Sequence, residues 1–212
     1  MKLQVALDLL NLDEAITIAE KALKGGADII EAGTPLIKYN GMKAVKELHE
    51  RFPSVPIVAD MKIADVGYVE AEMAFRHGAD IVTVLGLASD TTIKAAMKAA
   101  REYKGKVMAD LMLVKDKLRR AKELEALGVD YILVHTGIDE QSIGLDPFED
   151  VRNLSGKIRT PLAIAGGINN RNIIILRDLN VSIVIVGGFI TKSPNPEEAV
   201  RRILRSLGDK HG

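Results

Sequence analysis

Gly26-Ala27-Asp28-Ile29-Ile30, Gly78-Ala79-Asp80-Ile81-Val82 and Gly128-Val129-Asp130-Tyr131-Ile132 are three versions of one phrase, and Asn180-Val181-Ser182-Ile183-Val184 is a weaker fourth. Their first residues stand 52, 50 and 52 positions apart. Each follows a helical pattern and opens an apolar run, as a Gly or Asn in the left-handed conformation does at a helix C-terminus before a buried strand. Each interval holds two βα units of roughly 26 residues, so eight units take up about 208 residues, nearly the whole chain. The spacing predicts one (β/α)8 TIM barrel, an α/β fold, over residues 1–212.

Working outward from the phrase, apolar and mostly β-branched runs lie near residues 3–8, 28–32, 55–60, 80–85, 106–111, 130–135, 161–165 and 182–186, the pattern of parallel strands buried on both faces. Helical patterns alternate with them. The first carries Leu12, Ala15, Ile16, Ala19 and Leu23 on one face, with Asn11 as its cap and Glu14 three residues on. The last opens with Asn195 as cap, Pro196 at the first helical position and Glu197 and Glu198 in the first turn, and stops at Gly208. No linker, low-complexity tract or charge block marks a second domain. An open doubly wound sheet is the rival, but no Gly-x-Gly-x-x-Gly follows the first strand, and the even spacing favours closure.

The 212 residues are 47% hydrophobic, enough for one large core and too apolar for a disordered chain. The 29 Lys plus Arg balance 29 Asp plus Glu, so the basic footprint of a general binder of nucleic acid or anionic membranes is missing. Aromatic residues are 4% and Trp is absent, which argues against a stacking platform for single strands. Without Cys there is no disulfide, thiolate metal site or thiol nucleophile. The opening MKLQVALDLL is broken by Asp8 and is too short and too polar for a signal peptide or membrane span, so a cytoplasmic protein is expected.

Active sites of (β/α)8 barrels lie at the C-terminal ends of the strands. Here those ends are polar: Asp8, Glu31, Asp60 with Met61-Lys62, Asp110 and His135 close the first, second, third, fifth and sixth runs. A structural cap or ion pair accounts for any one of them. Five ionisable groups at one mouth are poorly explained that way, because burying unpaired charge is costly and charges gathered in a cleft mark functional sites. The seventh and eighth runs end in Gly166-Gly167 and Gly187-Gly188, where backbone N–H groups can approach an anion, and the loops there are the usual phosphate-binding place of this fold. A phosphorylated ligand is expected.

His49 and His77 lie in helices among charged neighbours and His211 in the C-terminal tail, so His135 alone is placed as a proton shuttle. The runs Lys115-Asp116-Lys117 and Arg119-Arg120 read as solvated helix faces. In Asp60-x-Lys62-x-x-Asp65 an extended segment points Asp60 and Lys62 the same way, and Asp65 opens the next turn, which sets a cation between two carboxylates. Spacing alone describes a loop ion pair as well as it describes catalysis.

Asp60-Met61-Lys62-Ile63-Ala64-Asp65 resembles the Asp-x-Lys-x-x-Asp signature of the orotidine monophosphate decarboxylase suprafamily. Within it, Glu31-Ala32-Gly33-Thr34-Pro35-Leu36-Ile37, Thr83-Val84-Leu85-Gly86 and His135-Thr136-Gly137-Ile138-Asp139-Glu140-Gln141 most resemble the 3-hexulose-6-phosphate synthase family, and the likeness runs along essentially the whole chain. That resemblance implies an aldolase that reversibly joins D-ribulose 5-phosphate and formaldehyde into D-arabino-3-hexulose 6-phosphate, with Mg2+ as cofactor. It implies Glu31 and Asp60 as metal ligands, Lys62 as a substrate contact or neutralising charge, and Asp65 acting in the neighbouring subunit's site of a homodimer. It sets Asp8 at the family's first-strand acid, His135 at its proton-handling His, and Gly166, Gly167, Gly187 and Gly188 in its phosphate loops.

Departures weigh against the relatives. Keto-gulonate phosphate decarboxylases resemble the chain closely but typically carry Glu where it has Asp110, and Arg after the strand-six His and the strand-eight Gly, where it has Thr136-Gly137 and Gly188-Phe189. Orotidine decarboxylases lack the strand-two Glu as a metal ligand, so Glu31 argues against them. A non-catalytic sugar-phosphate sensor would leave the five ionisable strand ends unexplained.

Magnesium takes oxygen ligands and keeps several waters. On the oxygens of carbons 1 and 2 of the ketose it would stabilise an enediolate before carbon 1 attacks formaldehyde. Lys62 is the one plausible amine for a Schiff base, but two carboxylate neighbours would hold it protonated and poorly nucleophilic. His135 and Asp110 both stand as groups for proton movement, with Asp65 and Lys62 polarising. Beside Asp65, Val66-Gly67-Tyr68-Val69 is an apolar patch that a partner chain could cover.

Overall fold

Strands β1 (Lys2–Leu7), β2 (Ile29–Ala32), β3 (Ile57–Ile63), β4 (Ile81–Leu85), β5 (Lys106–Asp110), β6 (Tyr131–His135), β7 (Leu162–Ala165) and β8 (Val181–Val186) close in sequence order, all parallel, with β1 paired to β2 and to β8. This is the expected (β/α)8 TIM barrel. The computed structural model describes residues 1–208, so His211 lies outside the described residues. Around the strands run α1 (Leu12–Lys24), α2 (Thr34–Asn40), α3 (Lys43–Arg51), α4 (Gly67–Arg76), α5 (Asp90–Tyr103), α6 (Lys117–Leu127), α7 (Ile138–Ser142), α8 (Phe148–Leu154), α9 (Gly188–Thr191) and α10 (Pro196–Leu207). Between β7 and β8 a 3-10 segment, Ile173–Asp178, stands where a helix was expected. Among the described residues no helix is long and apolar enough to cross a membrane.

The repeated phrase forms the floor of the barrel. Gly26, Gly78 and Gly128 take φ of 104°, 93° and 88°, the left-handed turn that ends each helix. The Asp two residues on then clamps the strand before. Asp28 Oδ2 accepts from the Leu3 amide at 2.8 Å while the Asp28 amide donates to the Leu3 carbonyl at 2.9 Å. Asp80 makes the same exchange with Ile57 (2.8 and 2.8 Å) and Asp130 with Val107 (2.9 and 3.1 Å). Each clamp ties an even strand to the odd strand preceding it, which is why the phrase recurs every second unit. The fourth version departs: Asn180 has no positive φ, and Ser182 has no carboxylate to offer.

Caps fall where the residue types put them. Asn11 Oδ1 accepts from the Glu14 amide at 3.0 Å, Asn195 Oδ1 from the Glu198 amide at 3.1 Å, and Gly208 ends α10 with φ 82°. The buried stripe of α1 is turned slightly from the expected one: Ile18 and Ala22 join Leu12, Ala15 and Ala19, while Ile16 and Leu23 are half-buried.

The core has two layers. One lies between strands and helices and takes Leu3, Val5, Leu7, Ile30 and Val82. The other fills the barrel with Ala6, Ile29, Val58, Ile81, Met108, Leu133 and Ala163. Since strand side chains alternate between faces, the inner rows of β1, β2, β3, β5 and β6 continue from these apolar residues to Asp8, Glu31, Asp60, Asp110 and His135 at their C-terminal ends.

Candidate active site

Asp60, in β3, is the hub of the mouth. Its Oδ1 accepts from Thr83 Oγ1 of β4 at 2.7 Å, and its Oδ2 accepts from Thr34 Oγ1 at the start of α2, also at 2.7 Å, and from Lys62 Nζ. Burial alone would raise this carboxyl, but the Lys62 charge and the three donors outweigh it and hold Asp60 below the usual carboxylate range.

The extended segment expected at Asp60-Met61-Lys62 lies in β3, but a bulge interrupts it at Lys62. Lys62 has φ 46°, and the pairing of β3 with β4 slips between Ala59 and Ile63. This bulge turns the Lys62 amide onto Thr83 Oγ1 (2.9 Å) and brings Nζ to Asp60 and to within 3.9 Å of Asp110 Oδ2. Lys62 does lie between two carboxylates, but the second is Asp110 and not Asp65. Burial would lower its pKa; Asp60 and Asp110 prevail and hold the ammonium above the usual lysine range. Asp65 is exposed in the loop after β3 and makes no ion pair among the described residues.

Asp110 and His135 form a pair. Asp110 has no exposed surface, and its Oδ1 takes the Met112 amide at 2.8 Å. Its Oδ2 takes the Nδ1–H of His135 at 2.8 Å, which directs Nε2 of the ring away from the pair. Burial would depress His135, but the hydrogen bond and charge of Asp110 outweigh it and raise the imidazole. Its side chain keeps 19% exposure, so of the two it is the group that can meet a ligand.

Glu31, in β2, is buried beside Asp60 and Asp8. Burial first, and then the charges of Asp60 and Asp8, push its carboxyl well above the usual range. Its one protein donor among the described residues is Gln4 Nε2 of β1, at 2.7 Å. Asp8 is likewise raised, by partial desolvation at the mouth and then by Asp60, although the residue keeps exposed surface. It fits between Gly33 and Gly187, for a Cβ on Gly33 would strike Asp8 Oδ1 and one on Gly187 would lie 3.5 Å from Oδ2.

Four carboxylates (Asp8, Glu31, Asp60 and Asp110) thus face one lysine and one histidine. That excess of negative charge, with two raised carboxyls in it, suits a divalent cation. Among the described residues no three His, Asp or Glu side chains form a ready-made metal cage. Magnesium needs only one or two carboxylates beside its waters and substrate oxygens. Glu31 and Asp60 meet that need: three donors occupy three of the roughly four lone-pair positions of Asp60, leaving one on Oδ1.

On the far side of the mouth, Gly166 and Gly167 take φ of 113° and 64°, and a Cβ on Gly166 would strike the Thr136 carbonyl. Gly188 is different: a Cβ there would meet nothing nearer than Lys192 Cδ at 3.8 Å. A cavity of about 310 Å³ opens beside Gly188, lined by Phe189, Lys192, Pro194, Glu198 and Arg202, and includes none of the four carboxylates of the mouth.

Three positions were given no role in the sequence reading. Gln4, Thr34 and Thr83 hold Glu31, Asp60 and the bulge; the available signal was a polar residue set inside an apolar run, as in Leu3-Gln4-Val5 and Val82-Thr83-Val84. A fourth was misread. Arg120 is not on a solvated face: at 16% exposure it donates Nε to the Gly86 carbonyl (2.7 Å) and Nη2 to the Ala88 carbonyl (3.1 Å), and it pairs with Asp90 and Glu123. Lys117 too is paired, with Asp150 at 2.8 Å. His49 lies on α3 and His77 ends α4, both away from the mouth.

Residues 1–203 match the orotidine 5'-phosphate decarboxylase / HUMPS family. The chain is 43% identical over 208 residues to a 3-hexulose-6-phosphate synthase of Bacillus subtilis, covering 98% of this chain and 99% of that protein. The crystal structure of 3-hexulose-6-phosphate synthase from Salmonella typhimurium superposes with a TM-score of 0.94 at 38% identity over 100% of both chains. That of 3-keto-L-gulonate-6-phosphate decarboxylase from Vibrio cholerae gives 0.86 at 29% identity, covering 98% of this chain and 97% of that one.

Proposed function

Because the chain belongs to the orotidine 5'-phosphate decarboxylase / HUMPS family, we propose that its mouth joins formaldehyde to carbon 1 of D-ribulose 5-phosphate, reversibly, to give D-arabino-3-hexulose 6-phosphate. It is an enzyme, a carbon–carbon lyase of the 3-hexulose-6-phosphate synthase type. The observation that carries the mechanism is the linked set Asp60, Lys62, Asp110 and His135: a fixed ammonium beside an oriented imidazole.

His135 takes the proton from carbon 1. Asp110 sets its tautomer and strengthens it as a base, and the 19% exposure of His135 against none for Asp110 favours the histidine as the group that meets substrate. Carbon 1 then attacks the formaldehyde carbon, the carbonyl electron pair moves to oxygen, and the proton held by His135 goes to that alkoxide. Lys62, held protonated, faces the charge developing on the ketose oxygens and serves as an electrostatic partner, not as a Schiff-base amine. Glu31 and Asp60 would hold Mg2+, which when bound supplies Lewis-acid stabilisation of that charge. Asp8 adds to the negative field that retains the ion.

The amides around Gly166, Gly167, Gly187 and Gly188 bind the phosphate, and that remote contact orients the reacting end. The working unit is a homodimer in which Asp65 completes the partner's site, a reading supported by its exposure and by exposed Val66 and Val69 beside it. Substrates that are free sugar phosphates support a cytoplasmic location.

The test is formaldehyde loss in the presence of ribulose 5-phosphate, with magnesium and then with excess chelator. Loss that needs both sugar phosphate and metal is expected. No loss, together with CO2 release from 3-keto-L-gulonate 6-phosphate, would assign the site to decarboxylation.

A further inference from the structure

Gln4 lies in β1 with no exposed surface, between Ile29 and Ile185 on the neighbouring strands. Its Nε2 donates to Glu31 Oε2 at 2.7 Å, and its Oε1 is enclosed with no hydrogen-bond partner. A buried acceptor without a donor destabilises a core, and Leu or Met would fill this place without one. The amide therefore has to be accounted for by what it does to Glu31. A lysine or arginine at this point would also hold the carboxylate, but would cancel its charge. A neutral donor fixes one oxygen, leaves the negative charge whole and leaves Oε1, which takes no donor among the described residues, for another ligand.

We propose that Gln4 is a positioning residue for divalent-cation binding: it anchors Glu31 through Oε2 so that Oε1 meets the cation at the mouth. The inference rests on the reading of Glu31 as a cation ligand, and the experiment separates the two. Metal-free protein is titrated with Mn2+, followed by loss of the free-ion EPR signal, in wild type, Glu31→Gln, Gln4→Met and Gln4→Leu, with a melting curve for each. Weakening of Mn2+ affinity by about tenfold in both Gln4 variants, with Tm unchanged or higher, is the expected result. A merely structural amide would lower Tm and leave the Mn2+ affinity alone, and that outcome, like failure of both variants to fold, overturns the proposal. Wild-type affinity retained in Gln4→Met but lost in Glu31→Gln would overturn the role of Gln4 while keeping that of Glu31. Equal affinity in wild type and Glu31→Gln would overturn both.

Discussion

The Nδ1–H of His135 is donated to Asp110 Oδ2 at 2.8 Å, and Asp110 is itself pinned by the Met112 amide at 2.8 Å. The carboxylate is thereby the orienting group and the imidazole the group it orients. This raises His135 above its ordinary value, and Asp110→Asn should bring it down. Imidazole NMR against pH measures the change. A histidine raised in the folded state adds stability that is full below the unfolded pKa and is lost as pH rises through the folded one. That loss should vanish in Asp110→Asn. An unchanged titration in the variant would remove Asp110 as the cause.

Glu31 has the opposite consequence. An acid raised well above its usual range makes the metal-free protein lose stability as pH climbs from the unfolded pKa through the folded one, because the folded state binds the extra proton. Glu31→Gln removes that loss. We expect a higher Tm than wild type at neutral pH in chelator, together with loss of turnover by about a hundredfold or more, a trade of stability for function. A variant that melts lower at neutral pH would contradict the cost of burying this charge beside Asp60 and Asp8.

The two kinds of glycine should separate in kinetics. Gly166→Ala puts a side chain on a residue with φ 113° and against the Thr136 carbonyl, so it should cost stability, about 1–3 kcal/mol by melting. At Gly188 nothing in the fold resists a Cβ. Gly188→Val should leave Tm in place and raise the KM for ribulose 5-phosphate, by roughly tenfold, with a smaller change in kcat. Unchanged KM there would move the phosphate elsewhere.

The fold was legible because its determinants are local. Asn11, Asn195, Gly26, Gly78 and Gly128 act on backbone groups within a turn of themselves, and strand burial follows from runs of adjacent residues. The ionisable strand ends were legible for the same reason, as polar breaks in apolar runs. Their partnerships were not. Lys62 pairs with Asp110 across 48 residues because a bulge against Thr83 turns it, and a positive φ on a lysine is imposed by tertiary pairing and carries no mark of its own. Arg120 reads as a surface charge because the carbonyls it holds lie more than 30 residues away.

Arg120 fastens the Gly86 carbonyl, and the Gly86 amide in turn donates to the Asp110 carbonyl at 2.7 Å. Lysine cannot reproduce a fork that reaches two carbonyls and two carboxylates. Arg120→Lys should cost about 2 kcal/mol, a Tm drop of roughly 4–8 °C for a chain of this size. A change under 1 °C or so would return Arg120 to the solvated surface.

Asp65 is exposed, makes no ion pair among the described residues, and stands beside Val66 and Val69, 56% and 59% exposed. A loop acid there is explained by helix capping as readily as by catalysis, but the cap is absent: Val66, in the left-handed conformation at φ 45°, precedes α4, and no side chain caps that helix. If Asp65 completes the partner's site, Asp60→Asn and Asp65→Ala are each inactive alone. In a heterodimer of the two, one site carries both lesions and the other carries neither. Refolding an equal mixture makes about half the dimers mixed, so about a quarter of wild-type activity should return. Continued inactivity in dimers proven mixed by mass spectrometry, or full activity in a monomer, would show that each barrel uses its own Asp65.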